Sequence, residues 1–178
     1  GEPGFIAMHL SAQPLDGWTL GLSRTMVFGG GDRKVGLGDV WDAIIDPINS
    51  DNCGGESELQ DCDQEFGNQQ ASMSTKVDFY FGMPISIYFE LAGEDSGGFR
   101  WYSLGNRAYN LSVFLPKLDE KSSLLVEHQI IRNAWYTHHL YEEGYRNNRD
   151  GMGHWWGDEK EFGDGIGAHI TTIRYNRE

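Results

Sequence analysis

Residues 70–91 read QASMSTKVDFYFGMPISIYFEL. Before Gly82 the side chains alternate: Ala71, Met73, Thr75, Val77, Phe79 and Phe81 fall on one face, and Gln70, Ser72, Ser74, Lys76, Asp78 and Tyr80 on the other. After Pro84 the alternation resumes, with Ile85, Ile87, Phe89 and Leu91 opposing Ser86, Tyr88, Glu90 and Ala92. Successive side chains of a strand point to opposite faces, so a period of two marks β-structure. Gly82-Met83-Pro84 supplies tight-turn chemistry between the two runs. The stretch predicts a hairpin with one apolar and one polar face.

The same pattern recurs on both sides. Ile6, Met8 and Leu10 oppose Ala7, His9 and Ser11; Trp18, Leu20, Leu22, Met26 and Phe28 oppose Thr19, Gly21, Ser23 and Thr25, with Arg24 interrupting the apolar face. Tyr109, Leu111, Val113 and Leu115 oppose Asn110, Ser112 and Phe114. Leu124, Val126 and Ile130 oppose Leu125, Glu127 and Gln129, and a last run places Ile166, Ala168 and Ile170 against Gly167, His169 and Thr171. These runs give about seven strands. One short helix is expected after Asp39, which can cap it, with Val40, Trp41, Ile44 and Ile45 on one face and Pro47 as its stop. Short turns near 13–17, 82–84 and 116–121 alternate with long connections near 29–67, 93–106 and 133–164. Strict alternation of this kind is what a transmembrane β-barrel requires, with turns on one side of the membrane and loops on the other. A polar face carrying Lys76, Asp78, Glu90 and Glu127 suits a water-filled lumen. A soluble antiparallel sandwich with its polar faces in solvent is the alternative.

Composition bounds the function. The 178 residues predict a single segment, 1–178, with a net charge of −13. That acidity argues against nucleic acid, whose phosphates call for clustered Lys and Arg. No apolar run approaches the ~20 residues of a spanning helix, and 13% aromatic content is too high for a disordered chain. Cys53 and Cys62 lie in the acidic stretch 46–67, which holds no Lys or Arg. They are candidates for a local disulfide, with unpaired thiols as the alternative. No His lies nearby to complete a zinc site, and no metal or cofactor is expected.

Met8-His9-Leu10-Ser11, Gly17-Trp18-Thr19-Leu20-Gly21, Phe28-Gly29-Gly30-Gly31-Asp32 and Val40-Trp41-Asp42-Ala43 resemble, in order, stretches of the Wzi-type capsule-assembly outer-membrane proteins. So do residues 63–68 (DQEFGN), 81–84 (FGMP), 88–95 (YFELAGED), 133–139 (NAWYTHH) and 153–157 (GHWWG). The resemblance implies an all-β, antiparallel transmembrane barrel of about eighteen strands in its full form, located in the outer membrane of a Gram-negative cell. It also implies lectin-like retention of capsular or exopolysaccharide, with membrane lipid as the other partner and no catalysis. With about seven strands and no terminal aromatic residue, this chain reads as an internal part of a longer protein.

The long connections hold the glycan-binding candidates. Trp101, Tyr102, Trp135, Tyr136, Tyr141, Trp155 and Trp156 offer aromatic faces for sugar C–H groups, and Arg132 offers hydrogen bonds to hydroxyls. An interfacial aromatic belt, or packing within the loops, is the competing reading of these rings. The function that competes with retention is a secreted β-protein hydrolysing a polysaccharide with Glu90 and Glu127, since glycoside hydrolysis needs two carboxyls ~5–10 Å apart. His138 and His139, adjacent in extended chain, point to opposite sides and do not chelate one ion together.

Overall fold

The computed structural model describes residues 2–45, 66–94, 104–132, 135, 138, 140–141, 146–147, 150–151 and 167–177. Cys53, Cys62, Trp101, Tyr102, Tyr136, His139, Trp155 and Trp156 lie outside the described residues.

Seven strands form one antiparallel sheet: β1 (Gly4–Leu15), β2 (Trp18–Phe28), β3 (Gly67–Tyr80), β4 (Pro84–Glu94), β5 (Ala108–Leu115), β6 (Ser122–Ile131) and β9 (Ala168–Arg177). Each pairs with its neighbour in chain order, so the sheet is a meander with β1 and β9 at its edges. Two two-residue strands, β7 (Arg146–Asn147) and β8 (Asp150–Gly151), pair with each other between β6 and β9. Helix α1 (Leu37–Ile45) lies in the connection between β2 and β3. No helix among the described residues is long and apolar enough to cross a membrane. β3 has 14 residues, or ~46 Å at ~3.3 Å per residue. Tilted by ~40°, it rises ~35 Å, more than the ~25 Å apolar band of a barrel. Its end therefore projects beyond the slab.

The hairpin read from the sequence forms with one-residue accuracy: Val77 pairs Ile87, Lys76 pairs Tyr88 and Phe79 pairs Ile85. β1 runs further than the alternation indicates, through a register shift between Ala12 and Leu15. This leaves a two-residue turn at Asp16-Gly17, where Gly17 takes a φ of 76° and its carbonyl accepts from the Asp78 amide at 2.7 Å. Asp-Gly is favoured at such positions because the tight hairpin turn needs φ > 0. The three short turns fall at one end of the sheet and the three long connections at the other.

One face of the sheet stays apolar and largely exposed. Its rows run Leu10–Leu22–Met73–Leu91, Leu20–Thr75–Phe89–Leu111, and Trp18–Val77–Ile87–Val113–Val126–Ile173. Leu10 is 67% and Ile173 70% exposed. Exposure on this scale is foreign to a soluble surface and suited to lipid. Trp18, Phe79 and Tyr175 stand on this face near the short turns, beside the exposed Tyr80 and Phe81. They form the aromatic girdle of that interface.

Two expectations need correction. In the last strand Ala168 and Ile170 lie on the polar face with Thr172, Arg174 and Asn176, while His169, Thr171, Ile173 and Tyr175 face outward. The register with β6, Val126 opposite Ile173, sets this phase, and a strand running on to Arg177 satisfies it. In α1, Asp39 is not the cap: Gly36 precedes the helix and its amide donates to Asp39 Oδ2 at 2.7 Å, the reach-back half of a capping box. Val40, Ala43 and Ile44 turn toward the sheet, whereas Leu37, Trp41 and Ile45 are exposed. The helix covers the upper end of the apolar face, where Met26, Ala43 and Phe66 are buried among Ile6, Met8, Phe28, Val35, Val40 and Ile44.

The short turn before β6 has its own lock. Asp119 Oδ1 accepts from the Lys121 amide at 2.8 Å. Hydrogen bonds from Ser122 and from that amide hold the Asp119 carboxyl below its ordinary range. A depressed carboxyl contributes stability above its unfolded pKa and loses it as pH falls through the lower folded value. The Lys121 amide should therefore keep a constant protection factor from pH 7 down to ~5 and lose it only below ~4, as hydrogen exchange will show.

Candidate glycan-binding face

The polar face is concave and forms a trough of ≈ 530 Å³. Strand register builds it. Thr19, Lys76, Tyr88, Ser112, Glu127 and Thr172 make one transverse row, and Gly21, Ser74, Glu90, Asn110 and Gln129 make the next. All four charged residues expected on the polar face, Lys76, Asp78, Glu90 and Glu127, share it.

Their partners differ. Lys76 Nζ meets Asp78 Oδ2 at 2.8 Å, and Ser86 Oγ donates to Asp78 Oδ1 at 2.6 Å. The Lys76 ammonium also stands 5.6 Å from the centroid of the Tyr88 ring. Glu127 accepts from Ser112 Oγ at 3.0 Å, Asn110 Nδ2 at 3.4 Å and Gln129 Nε2 at 3.1 Å. Glu90 lines the trough one row away. With strands ~4.8 Å apart, two strands and one row separate the Glu90 and Glu127 backbones by ~12 Å. Glu127 is thus engaged by three donors, two strands and one row away from Glu90. Hydroxyls, amides, paired charges and the Tyr88 ring together line the trough.

A second polar cluster caps the long-connection end. Glu94, 1% exposed, accepts from Asn68 Nδ2 at 2.8 Å and from Gln70 Nε2 at 3.0 Å. Asn68 is fully buried, and its side-chain Oδ1 accepts from the Gln69 backbone amide at 2.8 Å. Phe28 and Phe66 stack above with centroids 5.4 Å apart. The connection after β6 folds onto this cluster: Tyr141 donates its hydroxyl to Gly29 O at 3.2 Å, and the Arg33 guanidinium lies 5.1 Å from the Tyr141 centroid. Of the glycan candidates described, Trp135 is 4% exposed, Tyr141 is half-buried, and Arg132 is exposed. Trp135 and Tyr141 thus help to seat the connection at this end. His138 is buried too, with its Nδ1 accepting from the Leu140 amide at 3.3 Å.

The alternation did not single out Asn68, Glu94, Arg33 or Tyr88 as site residues. Asn68, Tyr88 and Glu94 nevertheless fall in the DQEFGN and YFELAGED stretches that carry the family resemblance. A buried Glu at a strand end signals a partner such as Asn68, because an unpaired buried charge is prohibitively costly.

The comparisons with known proteins agree with this geometry. Residues 2–164 match the family described as capsule assembly protein Wzi. A Klebsiella pneumoniae protein, described as an uncharacterized 55.8 kDa protein in the cps region, is 31% identical over 96 residues, covering 53% of this chain and 17% of that protein. The matched stretch is thus a minor part of that relative's length. No solved structure matches the chain significantly. A seven-stranded antiparallel meander with an exposed apolar face and a polar trough is a segment of an outer-membrane β-barrel, and the chain belongs to the Wzi capsule assembly family.

Proposed function

We propose that this segment serves a barrel that retains capsular or exopolysaccharide at the cell surface, in lectin fashion and without catalysis. The observation that carries the reading is the trough: hydroxyl, amide and paired charged groups surround Tyr88, and Glu127 is engaged by Ser112, Asn110 and Gln129. Of the aromatic candidates, Trp101, Tyr102, Tyr136, Trp155 and Trp156, with Arg132, form the outer binding rim, while the buried Trp135 and half-buried Tyr141 support it from beneath. The long connections face the cell exterior and the short turns the periplasm. The lumen receives Lys76, Asp78, Glu90 and Glu127.

The test uses the full-length parent in detergent, immobilised and exposed to purified capsular polysaccharides of the source strain. Trp155→Ala and Trp156→Ala should each weaken binding about tenfold, the equivalent of ~1.4 kcal/mol, while neither the parent nor Glu90→Gln should release reducing ends. Undiminished binding in a variant lacking all the rim tryptophans would overturn the lectin reading. Reducing ends released by the parent and lost in Glu90→Gln would establish the hydrolase instead.

The acidic stretch 46–67 should be cut by protease added to intact cells; cutting only after the outer membrane is opened would invert the sidedness. A Cys53–Cys62 bridge ties this stretch, whose like charges repel. Free-thiol titration of unreduced, denatured protein should find neither thiol reactive, and two reactive thiols per chain would remove the bridge.

A further inference from the structure

We propose that the outward face of this segment holds a site for an anionic, phosphate-bearing acyl lipid, seated between α1 and residues 104–107. The proposal rests on the outer-membrane assignment and is independent of glycan retention.

The strand face of a barrel is ordinarily a plain apolar surface. Here two structures stand off it. Arg24 points outward from β2, and its guanidinium donates to the carbonyls of Ala43 and Ile44 (3.0 Å to Ile44) and to Gln69 Oε1. It thereby fastens the last turn of α1 to the sheet. On the other side residues 104–107 close over Gly93, where a Cβ would overlap the Leu104 side chain. The Glu94 amide donates to Gly105 O at 3.2 Å and holds this wall in place. Between the walls lies a groove of ≈ 940 Å³, at the upper end of the range for small-molecule pockets. Leu10, Leu22, Met73 and Leu91 make its floor, with Ile44 and Leu104 on its two sides.

The floor is continuous with the exposed apolar rows below it, so acyl chains are its natural occupant. The charge is at the upper rim. The chain carries a net −13, yet among the described residues the charged groups lining this groove are two arginines, Arg24 and Arg107, with no carboxylate beside them. Arg107 is exposed and spends its Nε on Leu104 O at 3.2 Å. Its two terminal nitrogens point away from that bond, in the fork geometry that grips a phosphate. Arg24 and Gly93 lie one row above the Leu10–Leu91 row. That height matches the boundary of the ~25 Å apolar band, where lipid phosphates sit. Acyl chains on the floor and a phosphate at Arg107 fit one molecule.

The test is native mass spectrometry of the full-length parent in dodecyl maltoside micelles doped with lipid A, with its dephosphorylated form as comparison. One lipid A should stay bound per barrel. Arg107→Ala should lower occupancy at least tenfold, and Met73→Trp, which fills the floor without touching charge, should do the same. Lys117→Ala, in a short turn at the opposite end, should leave it unchanged. Equal retention of the dephosphorylated form, displacement by millimolar inorganic phosphate, or full occupancy in both groove variants would each overturn the site. A parent that stays monodisperse without detergent would overturn the barrel assignment and the site together, whereas a stable barrel carrying no lipid A would overturn the site alone.

Discussion

Phe89→Arg should cost the membrane-inserted protein ~2–4 kcal/mol, the range for a cation placed near the bilayer midplane on a barrel's lipid face. Phe89 pairs Thr75 on one side and Leu111 on the other, in the middle of three long strands, and its ring is 41% exposed on the apolar face. A guanidinium there would either stay in hydrocarbon or drag water to it. The next residue, Glu90, points into the trough, where a charge is already solvated. Glu90→Gln should shift stability by no more than ~0.5 kcal/mol. Denaturant unfolding of the full-length parent in lipid vesicles measures both. Equal tolerance at the two positions would mean that the apolar face does not meet lipid.

That contrast was legible in the sequence because a hairpin turn fixes register, and register fixes which side every residue faces. The run 70–91 has clean alternation and a short turn, so both the strand pair and the placement of Lys76, Asp78 and Glu90 follow from it. Glu127 follows in the same way from the run before Ile131. The last strand was not legible. Ala168 and Ile170 are small or apolar residues on a polar face that also holds Phe114 and Leu125, so composition alone assigns the wrong phase. Only the pairing of Val126 with Ile173 corrects it. Alternation is equally silent about the buried Asn68–Glu94 pair and about the contacts of Tyr141 with Gly29 and Arg33. Asn68 and Glu94 sit at the ends of β3 and β4, and Arg33 and Tyr141 come from connections far apart in the chain; local periodicity carries no information on which connection folds over which. The same reason hid the exposed stripe of Leu37, Trp41 and Ile45: the spacing groups Val40, Trp41, Ile44 and Ile45 on one face, and only packing against the sheet separates Val40 and Ile44 from Trp41 and Ile45.

Arg24 is the residue at which the sequence pattern fails for a physical reason that the structure supplies. It interrupts an otherwise apolar face at the upper boundary of the apolar band, where burial beneath α1 rather than depth calls for partners. The structure gives it three acceptors instead: two carbonyls from the last turn of α1 and the side chain of Gln69. Carbonyls at a helix C-terminus lack intrahelical partners and carry the negative end of the dipole, so a cation there is favoured twice over. Arg24→Ala should remove all three bonds and leave those carbonyls facing an apolar surface. Hydrogen bonds from a charged donor contribute ~1.5–3 kcal/mol each and are not additive, so a total loss of ~3–5 kcal/mol is expected. The loss should be local. Amides of Val40 to Ile45 should lose protection while those of β3 and β4 keep theirs, because the sheet's ladders do not pass through α1. Arg24→Lys should recover only part of the protection, since one ammonium cannot span acceptors on both the helix and β3 as the fork does. Hydrogen exchange on the full-length parent reads these changes segment by segment. Unchanged protection of α1 in Arg24→Ala would show that the helix is held by Val40, Ala43 and Ile44 alone, and the arginine would then need another explanation.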